Sequence, residues 1–198
     1  MKSEAGQAAP LYITAVTGLL FLALIFFAFG EADVKRSGAQ TAADSSALAL
    51  AKESRSLMEL DLKAHITDRA FYISAFNLPF LQGYTICPKA AGFAASNGAS
   101  LEGCDGPTVK GRWGFHVAVR SNKPVTANLV PGAKGKRART KATAIVESRC
   151  KFVPNPDITS STIGTVGCDS GLVWVVSPKD VAKMPPMTDL FSVRLVED

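Results

Sequence analysis

AAPLYITAVTGLLFLALIFFAFG, Ala8 to Gly30, runs for 23 residues without a charged side chain. A helix needs about 20 apolar residues to cross the hydrocarbon core of a bilayer, and this run supplies them. Pro10 falls where the first turn of a helix tolerates proline, because the missing N–H has no helical partner there. Tyr12 stands near the N-terminal end, at the depth where amphipathic rings meet headgroups. Lipid offers nothing to backbone polar groups, so the segment must satisfy its own, and a helix does so. The remainder of the chain reads as a head carried on that anchor.

Met1 to Gln7 is a polar tail with one lysine and one glutamate, and Glu31 to Arg36 carries two acids and two bases. Counting lysines and arginines at the two ends does not orient the span. The cysteines do. Cys87, Cys104, Cys150 and Cys168 all lie downstream of the apolar run, an even number, as disulfides outside the cytoplasm require. They place the N-terminus in the cytoplasm and the head outside the cell membrane. No CxxC pair occurs and no histidine stands at zinc-ligand spacing, which argues against a metal site and against redox catalysis. A cleaved signal peptide is the competing reading, since Ala28-Phe29-Gly30 suits a signal peptidase. Against it, the run exceeds the roughly 7–15 residues of a signal core, and the preceding tail is barely positive. A retained anchor is the expectation.

From Glu31 to about Phe71 no proline intervenes, and alanine, leucine, lysine and glutamate dominate, a helix-forming composition. Ala43, Ala47, Leu50, Leu57, Leu60 and Ala64 recur at spacings of three and four, with a gap at Ser54. The span is therefore expected to continue as an amphipathic stalk. Its reach is on the order of 90 Å at 1.5 Å per residue, with Gly30 and Gly38 as weak points. Gly18 and the small residues of Ala39 to Ala51 would let neighbouring helices approach closely.

The order Gly6-Gln-Ala-Ala-Pro10, one span, then Gly38-Ala-Gln-Thr-Ala-Ala-Asp-Ser-Ser-Ala-Leu-Ala-Leu-Ala51 resembles the N-terminal segment of the TadE/TadG-like family. That family belongs to the Tad (Flp, tight-adherence) pilus-assembly systems of bacteria. Its Q-[NT]-A-A-D-A-A-A-L-A-like run is matched from Gln40 to Ala51, with Ser45 and Ser46 replacing alanines. The resemblance implies a bitopic, non-enzymatic, minor-pilin-like or pilus-assembly protein with an exported, pilin-like head. Its implied partners are other pilus or secretion-apparatus subunits, met through the N-terminal helix. A prepilin would be cut after a glycine such as Gly6 and would usually carry glutamate at the fifth mature position, where Leu11 stands here. Longer members carry a metal-binding DxSxS motif that this sequence lacks, so no metal site is carried over.

After Phe71 the period changes. Asn77-Leu-Pro-Phe80 and Gln82-Gly83 mark turns, and Cys87 to Cys104 encloses a Gly/Ala/Ser-rich loop. Trp113, Phe115, Val117 and Val119 alternate with Gly114, His116, Ala118 and Arg120, as in a half-buried strand. Val125, Ala127 and Leu129 repeat the alternation after a turn at Asn122-Lys-Pro124. Ala142 to Phe152, Leu172 to Val176 and Phe191 to Leu195 supply three more strands. Leu172 to Val176, apolar on both faces, is expected to be central, and Phe191 to Leu195 to be outer. The fold class is α+β: a tail (1–7), a transmembrane helix (8–30), a stalk helix (31–71) and an extracytoplasmic head (72–198). The head is an antiparallel sheet of about five strands packed by the end of the long helix. Pairing Cys87 with Cys104 and Cys150 with Cys168 is our choice among three connectivities. Each such loop restricts the unfolded chain by about 3 kcal/mol in the chain-entropy model.

The net charge of +5 is unevenly placed. Between Asp105 and Glu147 lie nine bases and no acid, leaving 13 bases against 17 acids elsewhere. Lys134, Lys136, Arg137, Arg139 and Lys141 form an anion-binding candidate, open to membrane lipid or, as an alternative function, to anionic cell-envelope polymers. Without interleaved aromatics to stack bases, the cluster argues against nucleic acid. Asp61, His65 and Asp68 share a helix face and read as surface ion pairing, too few ligands for a metal. His116 lies on the polar face of its strand. No phosphate loop, nucleophile elbow or paired-acid motif occurs, and no catalytic, cofactor or metal residue is assigned.

Overall fold

A single helix, α1 (Ala8–Ala64), runs for 57 residues, about 85 Å at 1.5 Å per residue. It dominates the computed structural model, which describes residues 8–80, 84–124 and 135–197. Ala9–Phe27 is long and apolar enough to cross a membrane, and the rest of the protein covers none of it. The later part is no free stalk. Ala39, Ala42, Ala43, Ala47, Leu50, Ala51, Met58 and Leu62 are buried in the core of the head. The stripe of small residues expected to receive neighbouring helices is therefore taken up inside this chain. An apolar helix face buries itself against the nearest apolar surface, and here that surface is the covalently attached sheet.

The helix ends at Ala64, short of the expected Phe71. Asp68 is the N-cap of α2 (Arg69–Asn77), with extended backbone and a carboxylate that accepts the Phe71 N–H at 3.0 Å. A capping aspartate needs non-helical dihedrals at its own position, so it opens one helix by closing another. At the far end of α2, Pro79 holds Leu78 extended (φ −117°, ψ 161°) and prevents continuation.

The strands are β1 (Ala99–Asp105), β2 (Thr108–Val109), β3 (Arg112–Ser121), β4 (Arg139–Ser148), β5 (Cys150–Pro154), β6 (Gly164–Cys168), β7 (Val173–Val176) and β8 (Phe191–Val196). They form two antiparallel sheets. The larger has the order β1-β3-β4-β8, with β2 pairing the start of β3, and the smaller the order β5-β6-β7. Trp113, Phe115, Val117 and Val119 are buried as the alternation required. Ala142 and Ala144 of β4 pair with Val117 and Phe115, so they share that face. Small residues on both sides let α1 lie close against β4. Gly114 is equally constrained, since a Cβ there would stand 2.4 Å from the Ala144 carbonyl oxygen.

Strand β4 and α1 run in the same direction. Near one end the Gln40 side chain meets Thr140 and the Lys141 carbonyl. Near the other, Arg55 Nη1 donates to the carbonyl of Phe191 at 3.3 Å, and Phe191 is the partner of Ser148. Fifteen helical residues and eight strand residues cover similar lengths, about 22 and 26 Å, so the two elements stay in step.

Several expected strands are redrawn. Ala142 to Phe152 is not one strand. Arg149 gives its N–H to Leu190 and its carbonyl to Asp169, leaves the ladder, and passes the chain from the large sheet to the small one. The Leu172 to Val176 segment is not central, because β7 is an edge. Trp174 and Val176 are buried, but Val173 and Val175 are 69% and 51% exposed, since the described residues leave the second face of the small sheet largely open. The Cys87 to Cys104 loop contains α3 (Ala90–Ser96), which packs Ala90 and Ala94 into the core, and most of β1. β6 was hidden by its glycines. Phe191 to Leu195 lies at the edge of the large sheet, as expected. The Val125, Ala127 and Leu129 alternation and the Gln82-Gly83 turn lie outside the described residues.

Helix α2 joins the sheets through aromatic rings. Tyr72 lies 5.4 Å from Phe152 and 6.1 Å from Trp174, Phe76 5.2 Å from Phe191, and Trp113 5.7 Å from Phe191. The Tyr72 hydroxyl donates to the Leu62 carbonyl at 2.9 Å. Two disulfides, Cys87–Cys104 and Cys150–Cys168, brace the head in the local pairing chosen. The second joins directly opposed residues of β5 and β6.

Candidate functional site

The direction of α1 gives the head two ends. Among the described residues, Ala39 is the first buried one after the apolar span. Gln40 follows, and its amide locks the helix to the start of β4. The Thr140 hydroxyl donates to Gln40 Oε1, while Gln40 Nε2 donates to Asp44 at 2.8 Å and to the Lys141 carbonyl at 3.4 Å. Because β4 runs with α1, the chain entering β4 lies on the span side of this latch, as do the end of β3 and the start of β1. The small sheet lies toward the opposite end, beside α2.

The basic cluster maps onto the span-facing end. Lys136, Arg137, Arg139 and Lys141 are exposed there, with Lys123 at the end of β3. Lys134 lies outside the described residues. The acid-free run of sequence is not acid-free in space. Glu102 of β1 sits 3.4 Å from Arg120 and 3.1 Å from Arg139. Glu147 sits 3.5 Å from Arg112 and 2.8 Å from Arg194, and this carboxylate raises the pKa of Arg194. Among the described residues, Lys123, Lys136, Arg137 and Lys141 have no carboxylate within ion-pair distance.

The other polar candidates have structural tasks. Asp61, His65 and Asp68 do not pair as ions. Asp61 accepts the Tyr84 hydroxyl at 2.7 Å, His65 Nδ1 lies 2.9 Å from the Asp61 carbonyl and stacks on Phe71, and Asp68 is the cap. The Asp61 hydrogen bond, with some desolvation, raises the pKa of Tyr84. His116 Nδ1 lies 2.8 Å from the hydroxyl of Thr143, its cross-strand partner. A hollow of about 390 Å³ lies over Phe76, Phe80, Trp113 and Phe191. Its one hydroxyl, on Ser148, donates to the Cys150 carbonyl at 2.8 Å. Among the described residues no group of three or more His, Cys, Asp or Glu is placed around a common metal position.

Three polar anchors, Gln40, Ser54 and Asn77, have partners that the sequence does not name. Ser54 had a visible signal, as the gap in the apolar stripe. Gln40 opens the alanine-rich run and Asn77 a turn, but neither position points in sequence to the strand backbone its side chain meets.

Residues 6–52 match the family model described as "Putative Flp pilus-assembly TadE/G-like". The matched segment holds the apolar span and the Gln40 to Ala51 run that packs beneath the head, and no part of either sheet. No curated protein and no solved structure matches the chain.

Proposed function

We propose that the chain is a single-pass, minor-pilin-like component of a Tad/Flp-type pilus-assembly system, acting by association rather than by chemistry. The observation that carries this reading is the extent of the family match. Residues 6–52 join the apolar span to the part of α1 that carries the head, so the matched unit is an anchor with its load-bearing seat. In this reading the N-terminus is cytoplasmic and the head extracytoplasmic, a placement favoured by two disulfides and the redox state they need. With Ala39 to Ala51 occupied by the head, the contacts with other subunits fall to the uncovered face around Gly18, Phe21 and Leu22 and to the exposed small sheet.

The test is photo-crosslinking in native cells from a reactive residue placed at Phe21 or Leu22, with the adducts identified by mass spectrometry. Adducts to pilus or secretion-apparatus subunits are expected. Adducts to lipid alone, at both positions and with normal expression, would overturn the reading.

A further inference from the structure

The geometry points to the basic end of the head as a docking surface for anionic phospholipid headgroups of the bilayer in which α1 is anchored. This rests on the reading of Ala9–Phe27 as a membrane span, and it holds for either orientation of the chain.

The argument is one of height. Gln40 lies 13 residues beyond Phe27 on an uninterrupted helix, about 20 Å at 1.5 Å per residue. The headgroup layer fills the first 5–7 Å or so of that distance. Thr140 and Lys141 are level with Gln40. Preceding them, the ladder continues one rung past β4, with the Ser121 N–H donating to the Ala138 carbonyl at 2.8 Å. The chain therefore heads toward the span, covering about 3.3 Å per residue where extended. Arg137 and Lys136 thus reach up to about 10–13 Å nearer the membrane than Thr140 at that extended rise. That brings their charges within a Debye length, about 8–10 Å at physiological salt, of the headgroups.

The charge balance at this end favours an anionic surface. Lys123, Lys136, Arg137 and Lys141 are exposed, and Lys35 and Arg36 lie on the helix between span and head. Among the described residues, the acids facing them are Asp33 on the helix, Asp44 beside Gln40, Glu197 after β8, Asp105, which shares a hollow with Lys110 and Lys141, and Glu102, which is already held between Arg120 and Arg139. Clustered cations held beside a membrane recognise acidic lipid by charge. Several weak contacts made from an anchored head act at high effective concentration and so act together. The consequence is a head held upright and close to the bilayer.

The experiment uses the full chain in nanodiscs of phosphatidylcholine alone or with one-third phosphatidylglycerol. Lysine acetylation rates are read residue by residue by mass spectrometry. Lys123 and Lys136 are expected to react at least about threefold more slowly in the anionic discs, and Lys141, level with Gln40 and farther from the headgroups, to slow less. The difference should vanish in 0.5 M salt (roughly, where the Debye length falls below 5 Å). Lys151 and Lys179, in and beside the small sheet, should not change. In the variant Lys136→Gln/Arg137→Gln, Lys123 should regain the rate seen in neutral discs. A chain that fails to co-elute with the discs overturns the spanning reading and this proposal together. Co-elution with equal rates in both discs overturns this proposal alone. So does slowing by added soluble cell-wall polyanion with none by anionic lipid, which would assign the cluster to envelope polymers.

Discussion

Ser54 Oγ accepts the indole N–H of Trp113 at 2.9 Å, and both side chains are buried, Ser54 completely. This bond ties the C-terminal part of α1 to the start of β3 at the point where the aromatic cluster meets the helix. Replacing Ser54 by alanine leaves a buried donor without a partner, at a cost of about 1–3 kcal/mol. Denaturant unfolding of the detergent-solubilised chain, followed by tryptophan fluorescence, should show that loss. The double variant Ser54→Ala/Trp113→Phe should show less than the sum of the two single changes.

Ala47 is fully buried beneath the sheet. Ala47→Leu is therefore expected to destabilise the head by about 1–3 kcal/mol through overpacking, before any effect on association with other subunits. The same unfolding measurement checks this. A head that keeps its wild-type midpoint would mean that α1 sits farther from β4 than described.

Asn77 imitates a neighbouring strand. Its Nδ2 donates to the Phe152 carbonyl at 2.7 Å, and its Oδ1 accepts the Phe152 N–H at 2.9 Å. One side chain thus satisfies both backbone groups of Phe152 on the outer edge of β5. Asn77→Ala should cost about 1–3 kcal/mol and should raise hydrogen exchange at the Phe152 amide. Asn77→Asp should be worse, since a carboxylate would face the Phe152 carbonyl.

The hydrogen bond from Tyr84 to Asp61, together with desolvation and the Asp61 charge, raises the tyrosine pKa above its ordinary value near 10. A raised pKa favours the neutral phenol in the folded state. The contribution to stability is fully present below the unfolded pKa of about 10 and is lost as pH rises through the folded value. Comparing wild type with Tyr84→Phe across that alkaline window isolates this group from Tyr72, whose pKa burial also raises. The stability gap between the two proteins should shrink as pH climbs. A gap that stays constant would mean that the phenol does not titrate differently on folding.

The same residues explain what the sequence could disclose. Anchor, long helix and alternating β3 were legible because each repeats one period over many residues. Ser54 was visible as an interruption, although its partner 59 residues away was not. The destination of the alanine stripe was not legible, because an apolar face does not say whether a sheet or another helix will cover it. Ala142 to Phe152 read as one strand because hydrophobicity carries no mark of the Arg149 hydrogen bonds that send the chain to a second sheet. The basic run misled in the other direction. Arg112, Arg120 and Arg139 look unopposed along the chain, and the carboxylates that meet them, Glu102 and Glu147, lie just outside it.

Because anchor and core belong to one uninterrupted helix, the head has a compass bearing as well as a height. Successive residues of α1 turn by about 100°, so the face of the span that meets a neighbour sets the direction in which the small sheet points. One residue inserted between Phe27 and Ala39 would swing the head by more than a quarter turn while every contact within it survived. Seven inserted residues, close to two full turns, would nearly restore the bearing and lift the head by about 10 Å. The one helix thus couples rotation and height of the head to the span, and insertions of different length change the two separately.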